Sequence, residues 1–305
     1  MKRKQTVEES LEKGKTKNVA EESNGSGSEE NSNEDEDDED KEEELIDVDF
    51  DFFDPKEIDF HGLKSLIKQT FANDADQFDF SGLADLIISR PHLGSVVKID
   101  DSQDPYAVVT VLGFGADSKT KNVAVPVTTI KDYLLLKSKK ANKENHEVFE
   151  ALLSPTSKHV TGLLVNERLI NMPPQIVVPM LKMLDDELEW SVQEKKEEKE
   201  YEYLVYISKT YQEVEPSFNE EGEEAGPSKK KKKKAASGSK VILNFHVEDE
   251  IFEKHAEFHF DFQFTNQTDQ SELQQTAGIK TSRRVYVVKR SKLQTIHGAM
   301  KDLLN

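Results

Sequence analysis

The chain predicts an α+β (mixed α/β) fold in which a central mixed or mostly antiparallel sheet is flanked by helices. Three observations carry that expectation. β-Branched runs such as "AVVTVLGF" at Ala107 are bounded by turn residues. Stretches such as "VPVTTIKDYLLLKSKK" at Val125 turn helical and end in lysines, the favourable charge at a helix C-terminus. The two patterns also alternate without the strict strand–helix–strand rhythm of an all-parallel sheet.

Residues 1–44 read as a disordered acidic tail. Between Leu11 and Leu45 the one large apolar side chain is Val19, and "EENSNEDEDDEDKEEE" cannot bury enough surface to offset the entropy of ordering it. The expected domain, residues 45–305, opens with "VDFDFF" at Val48, an apolar–acid alternation that suits an edge strand with a negative outer face. Two related phrases follow, "IDFHGLKSLI" at Ile58 and "FDFSGLADLI" at Phe78. Phe60, Leu63, Leu66, Ile67 and Phe71 share one helical face, as do Phe80, Leu83, Leu86 and Ile87, so the pair predicts a helical hairpin laid on one sheet face. Asp59 and Asp79 stand at N-cap positions, with Ser81 the alternative in the second copy, and a glycine near each helix start allows close packing.

"GSVVKI" at Gly94 and "AVVTVLGF" predict strands, with "ADSKTKNVAVPV" after them as a hairpin. "ENHEVFEALL" is a second helix after the one ending at Lys140, and "VTGLLVNE" at Val160 is a strand. "PPQIVVPMLKMLDDELEW" from Pro173 is a helix in which Pro179 must either kink the axis or delay the start. "YEYLVYISKTY" at Tyr201 is a strand. Residues from about 213 to 240, with "NEEGEEAGPSKKKKKKAASGSK", read as a disordered acidic and lysine-rich insertion. Beyond it "KVILNFHV" at Lys240 and "AEFHFDFQF" at Ala256 read as strands, the second placing Phe258, Phe260, Phe262 and Phe264 on one face. "RRVYVVKR" makes a last strand and "SKLQTIHGAMKDLLN" a closing helix.

Composition narrows the chemistry. The 305 residues carry a formal charge of -19, 35% hydrophobic content and no cysteine, which excludes disulfides, thiolate zinc sites and a cysteine nucleophile and suits a reducing interior. No apolar run approaches the roughly 18 residues of a membrane span, and "MKRKQTVEES" lacks a signal peptide's apolar stretch, so a soluble intracellular protein with no membrane partner is expected. No motif demands a cofactor. "EKGKT" has Glu9 where a phosphate-binding loop needs its first glycine. "TVLGFG" has Thr110 where the acyl-CoA loop of acetyltransferases has Gln or Arg, and a turn between strands is the better reading. His255, Glu257, His259 and Asp261 share a strand face; that pattern suits a divalent ion, but a solvated face is the commoner explanation.

The charge runs point to partners. The acidic tail either gathers a basic protein client or serves solubility alone. Lys229, Lys230, Lys231, Lys232, Lys233 and Lys234 form a run suited to a nuclear import signal read by an importin. Direct nucleic-acid binding is disfavoured, because the rest of the chain is too acidic to hold a phosphate backbone.

"HVTGLLVNERLINMPPQIVVPMLKMLDDEL", with "DLIISRPHLGSVVKID", "VDFDFF" and "YLVYISKTY", resembles the eukaryotic BCCIP family from about Asp47 to the end. Gly162, Leu163, Glu167, Arg168, Asn171, Pro173, Pro174 and Gln175 carry its most distinctive segment. The resemblance implies a sheet similar to that of acetyltransferases without their activity, and a nuclear binding protein. In the fungal branch it implies a chaperone of a large-subunit ribosomal protein and export of a phosphatidylinositol phosphate kinase. In the animal branch it implies genome maintenance and cell-cycle control through protein partners. A DNA-repair and cell-cycle scaffold and an acetyl-CoA-binding relic are the alternatives. On the residues alone, "NERLINMPPQ" is a rigid strand-to-helix corner with Asn171 able to cap the helix; as a docking point it involves Glu167, Arg168, Asn171 and Gln175.

Overall fold

The computed structural model describes residues 49–99, 102–115, 124–195, 200–213, 241–266 and 278–304. The acidic tail, the lysine run Lys229–Lys234 and nearly all of the insertion lie outside the described residues. In chain order the elements are β1 (Phe50–Phe53), α1 (Phe60–Phe71), α2 (Phe80–Ile88), β2 (Ser95–Ile99), β3 (Ala107–Gly113), α3 (Val125–Ala141), α4 (Lys143–Leu153) and β4 (Thr161–Arg168). Then follow α5 (Val177–Gln193), β5 (Tyr203–Glu213), β6 (Leu243–Asn244), α6 (Asp249–His255), β7 (Phe258–Phe262), β8 (Ile279–Lys289) and α7 (Leu293–Leu304).

The strands form one mixed sheet in the order β1-β2-β3-β4-β5-β8-β7, with β6 attached to β5. Among the described strands only β4 and β5 run parallel, and α5 is the crossover that parallel pairing requires. Alternating side chains send Val108, Leu112, Leu163, Val205, Val285 and Phe260 to one face, where α1 to α4 cover them. Val97, Val109, Leu164, Leu204, Tyr206 and Val288 go to the other face, under α5, α6 and α7. This is the mixed sheet flanked by helices that the sequence predicts.

The repeated phrase becomes α1 and α2, neighbours on the first face, with Leu63, Leu66, Leu83 and Ile87 buried. A Cβ on Gly62 would lie 2.3 Å from the Pro105 ring, and one on Gly82 would lie 2.7 Å from the Pro126 ring, so each glycine admits a proline ring against the helix. The caps differ. Asp79 accepts from the Gly82 amide at 2.9 Å, whereas Asp59 accepts from the Lys56 amide at 2.8 Å and pairs with Lys98 at 2.6 Å. "VDFDFF" is the edge strand β1. Pro179 delays the helix start: a 3-10 turn spans Pro174–Ile176, and Pro179 falls in the first turn of α5, where its missing N–H costs nothing. Phe258, Phe260 and Phe262 share the face beneath α3 and α4, and Phe264 is buried under the Arg283 guanidinium.

Three expectations need correction. "KVILNFHV" pairs only at Leu243–Asn244, because Val241, Leu243, Phe245 and Val247 face away from the core and remain exposed. Helix α6 was hidden between two strand-like patterns; Ile251 and Phe252 are its apolar anchors. The hairpin after Gly115 fails at its visible end, since Ala124 is the N-cap of α3 and Val125 and Pro126 begin that helix. The remainder of that stretch, residues 116–123, lies outside the described residues.

Candidate interaction site at the β4–β5 opening

Strands β4 and β5 pair from Thr161↔Tyr203 to Leu164↔Tyr206. Past that point β5 bonds β6 on the same side, through Thr210↔Asn244 and Tyr211↔Leu243. The two parallel strands therefore open into a wedge, and the segment from β6 to α6 fills it.

Charged side chains line the wedge, and they are spent on one another. Lys209 Nζ donates to Glu167 Oε2 at 2.5 Å, and Thr70 Oγ1 donates to Glu167 Oε1 at 2.5 Å. Arg168 forms an ion pair with Glu248 and contacts His246 Nδ1 at 2.9 Å. Ser208 Oγ and Tyr206 OH donate to Asp249 at 2.5 and 3.0 Å. Burial, with the charge of Glu248 beside it, pushes Asp249 up to about 7. Burial, with the charges of Arg168 and Lys209 nearby, pulls His246 down to about 3. Arg283 donates to the carbonyls of Thr70 and Gln69, and burial lowers it to about 10. Removing one partner of such a buried pair typically costs about 3–5 kcal/mol, so these groups lock the wedge shut.

The corner residues behave accordingly. Glu167 and Arg168 turn inward, and Gln175 Nε2 donates to the Leu304 carbonyl at 3.3 Å. Asn171 is exposed beside Ile170, which is 80% exposed. Asn171 caps nothing, because the N-cap of the 3-10 turn is Pro173 and that of α5 is Ile176. Of the four docking residues expected here, the structure leaves Asn171 at the surface.

The parallel crossover also relocates the question of an acyl-CoA loop. Anions favour the point where a parallel strand ends and its crossover helix begins, which in this sheet is Arg168–Val177 and not "TVLGFG". Thr110 is buried and donates to the Leu93 carbonyl at 2.7 Å, while Gly113 and Gly162, opposite each other in register, receive the Tyr201 ring. At the true crossover the chain reads Arg168, two residues, Asn171, one residue, Pro173, with prolines where amide donors would be needed. Met172 N already donates to Leu169 O, and Arg168 is held by Glu248. An internal void beside Thr70, Asn166 and Glu167 offers about 10 Å³, room for roughly one water.

The four residues expected on one strand face do not share it: His255 ends α6, Glu257 precedes β7, and only His259 and Asp261 stand on the strand. Glu257 binds Lys292 at 2.7 Å, Asp261 binds Arg284 at 2.6 Å, and the His259 ring lies against Tyr286. Among the described residues no group of three or more His, Asp or Glu side chains is arranged to hold a metal ion, and no helix is long and apolar enough to cross a membrane. Among the exposed apolar side chains of the described residues are the stripe Val241, Leu243, Phe245 and Val247, the tip at Ile170, and Trp190 on α5.

The BCCIP family pattern matches residues 45–252. "Protein bcp1" of Aspergillus oryzae is 38% identical over 261 residues, covering 83% of this chain and 86% of that protein. "Protein bcp1" of Schizosaccharomyces pombe is 37% identical over 233 residues, covering 75% and 80%. The crystal structure of BCP1 from Saccharomyces cerevisiae superposes with a TM-score of 0.55 at 25% identity, covering 88% of this chain and 93% of that one. With the family pattern over residues 45–252 and relatives 37–38% identical over most of the chain, the chain belongs to the BCCIP family.

Proposed function

We propose that this protein is a non-enzymatic nuclear chaperone or adaptor that shields a basic protein client, a large-subunit ribosomal protein being the class the family resemblance favours. The observation that carries the reading is charge: -19 over 305 residues, in a fold whose basic side chains at the β4–β5 opening are consumed by internal pairs. A basic client has an attractive surface here, and a phosphate backbone does not. Lys229–Lys234 serve as the import signal, recognised by an importin, and movement in both directions across the nuclear envelope accounts for an export role.

The test is affinity purification of the tagged protein from nuclear extract at physiological salt. One basic ribosomal protein in near-stoichiometric amount is the expected result. Recombination or cell-cycle proteins without any ribosomal client would replace the chaperone reading with that of a repair and cell-cycle scaffold.

A further inference from the structure

Helix α5 buries Met180, Leu181, Leu184 and Leu188, and Glu187 on the same side accepts from the Gly94 amide at 2.7 Å. Its opposite side carries Lys182, Asp186, Glu189, Trp190, Gln193 and Glu194, all exposed and at spacings that share one helical face on which carboxylates outnumber the one lysine. Trp190 is the chain's single tryptophan and is 42% exposed. Among the described residues its indole meets no ring or cation, Asp186 and Glu194 form no ion pair, and Glu189 accepts only from Gln193, at 3.2 Å.

Two features separate this face from an ordinary solvated one. A helix C-terminus carries partial negative charge, and cations placed there are favourable by about 0.3–1 kcal/mol each. The last turn of α5 holds no base; Glu189 lies near its end and Glu194 is its C-cap, and a lysine, Lys195, follows only beyond that cap. These acids work against the helix that carries them, which is the kind of local conflict kept where a surface serves a partner. The second feature is the tryptophan at the centre of the acids. Its ring offers a negative π face and a large contact area, the combination on which binding energy concentrates.

We propose that this face is a docking site for an arginine of a basic protein partner, the guanidinium stacking on Trp190 while its N–H groups reach the carboxylates of Asp186, Glu189 and Glu194. The proposal rests on the reading of the chain as a binder of basic protein and names the surface that engages it. Guanidinium fits better than ammonium: it is planar, more weakly hydrated, and can stack while its in-plane donors bind carboxylates.

The test uses the full chain and a fluorescein-labelled arginine-rich peptide, with a lysine-for-arginine version of the same peptide as control, followed by anisotropy at physiological salt. Unlabelled peptide is titrated in parallel against Trp190 emission. The arginine peptide should bind more tightly than the lysine one and change the emission saturably with the same midpoint. Trp190→Ala should weaken arginine-peptide binding about five- to thirty-fold and affect the lysine peptide less. The double variant Asp186→Asn, Glu189→Gln, which leaves the ring and the core untouched, should weaken binding and reduce its salt dependence, and it decides the matter if Trp190→Ala proves unstable. If the peptide binds but neither variant changes its affinity and the emission stays constant, the client is captured elsewhere and this site is wrong while the basic-client reading stands. If neither peptide binds even at low salt, both fall together.

Discussion

Asp249 and His246 lie three residues apart and answer pH in opposite directions. Asp249 keeps its proton up to about 7 against an ordinary 3.8, so its contribution to stability is complete below about pH 4 and is lost as pH rises towards 7. His246 stays neutral down to about 3 against an ordinary 6.5, so its contribution is present above about pH 6.5 and is lost as pH falls towards 3. Between roughly pH 4 and 6.5 the two slopes cancel. Asp249→Asn should expose the histidine slope, with stability climbing by up to about 1.4 kcal/mol per pH unit, and His246→Gln the reverse. Urea midpoints at the two ends of that window, compared with the parent, check both; an Asp249→Asn profile that parallels the parent would show the carboxyl to be ionised in the folded state. None of this is legible in "HVEDE". Glu248 and Asp249 are buried and Glu250 is exposed, and what separates them is the start of α6, which sets Asp249 against Tyr206 and Ser208. Arg168 teaches the same lesson: as a charge leaving a strand it reads as surface, but Glu248, far along the chain, turns it inward.

At the scale of elements the sequence is more informative, because β-branched runs and helical periodicity are local signals. It reveals the α1–α2 hairpin, the edge strand and the closing helix, and it offers the delayed start of α5 as one of two effects of Pro179. It misses α6, whose seven residues are too short for periodicity to emerge between two alternating patterns. Gly62 gives the repeated phrase an energetic test. Alanine is the better helix former by about 1 kcal/mol, but its methyl would strike the rigid ring of Pro105, and overpacking typically costs about 1–3 kcal/mol. Gly62→Ala should therefore destabilise the protein in chemical denaturation, and a gain would mean the hairpin is looser than the contact distance implies. The β4–α5 crossover bears on acyl chemistry. With Pro173 and Pro174 at the helix start and Arg168 engaged by Glu248, acetyl-CoA should leave the melting temperature unchanged; a shift that saturates would restore the relic hypothesis.

Over the whole molecule, net charge is the property most directly readable from sequence, and the proposed basic client rests on its sign. Association with a basic client should weaken steadily as salt rises, and again when residues 1–44 are removed, because long-range attraction between exposed charges is screened within about 10 Å at 0.1 M salt. Affinity that is constant from low to high salt would rule out electrostatic capture. The docking residues were less legible, since Asp186, Glu189 and Trp190 look in sequence like the polar side of any amphipathic helix until the fold shows which side is unused. The pairing of β5 with β6 has a consequence of another kind. Tyr211 and Leu243 are held side by side, so everything between Glu213 and Val241 is a closed excursion whose two ends are pinned by the sheet itself. Closing such a loop costs only about 0.6 kcal/mol more for each doubling of its length. With its two ends fixed, the stretch between them can change length or composition while Tyr211 and Leu243 stay in register.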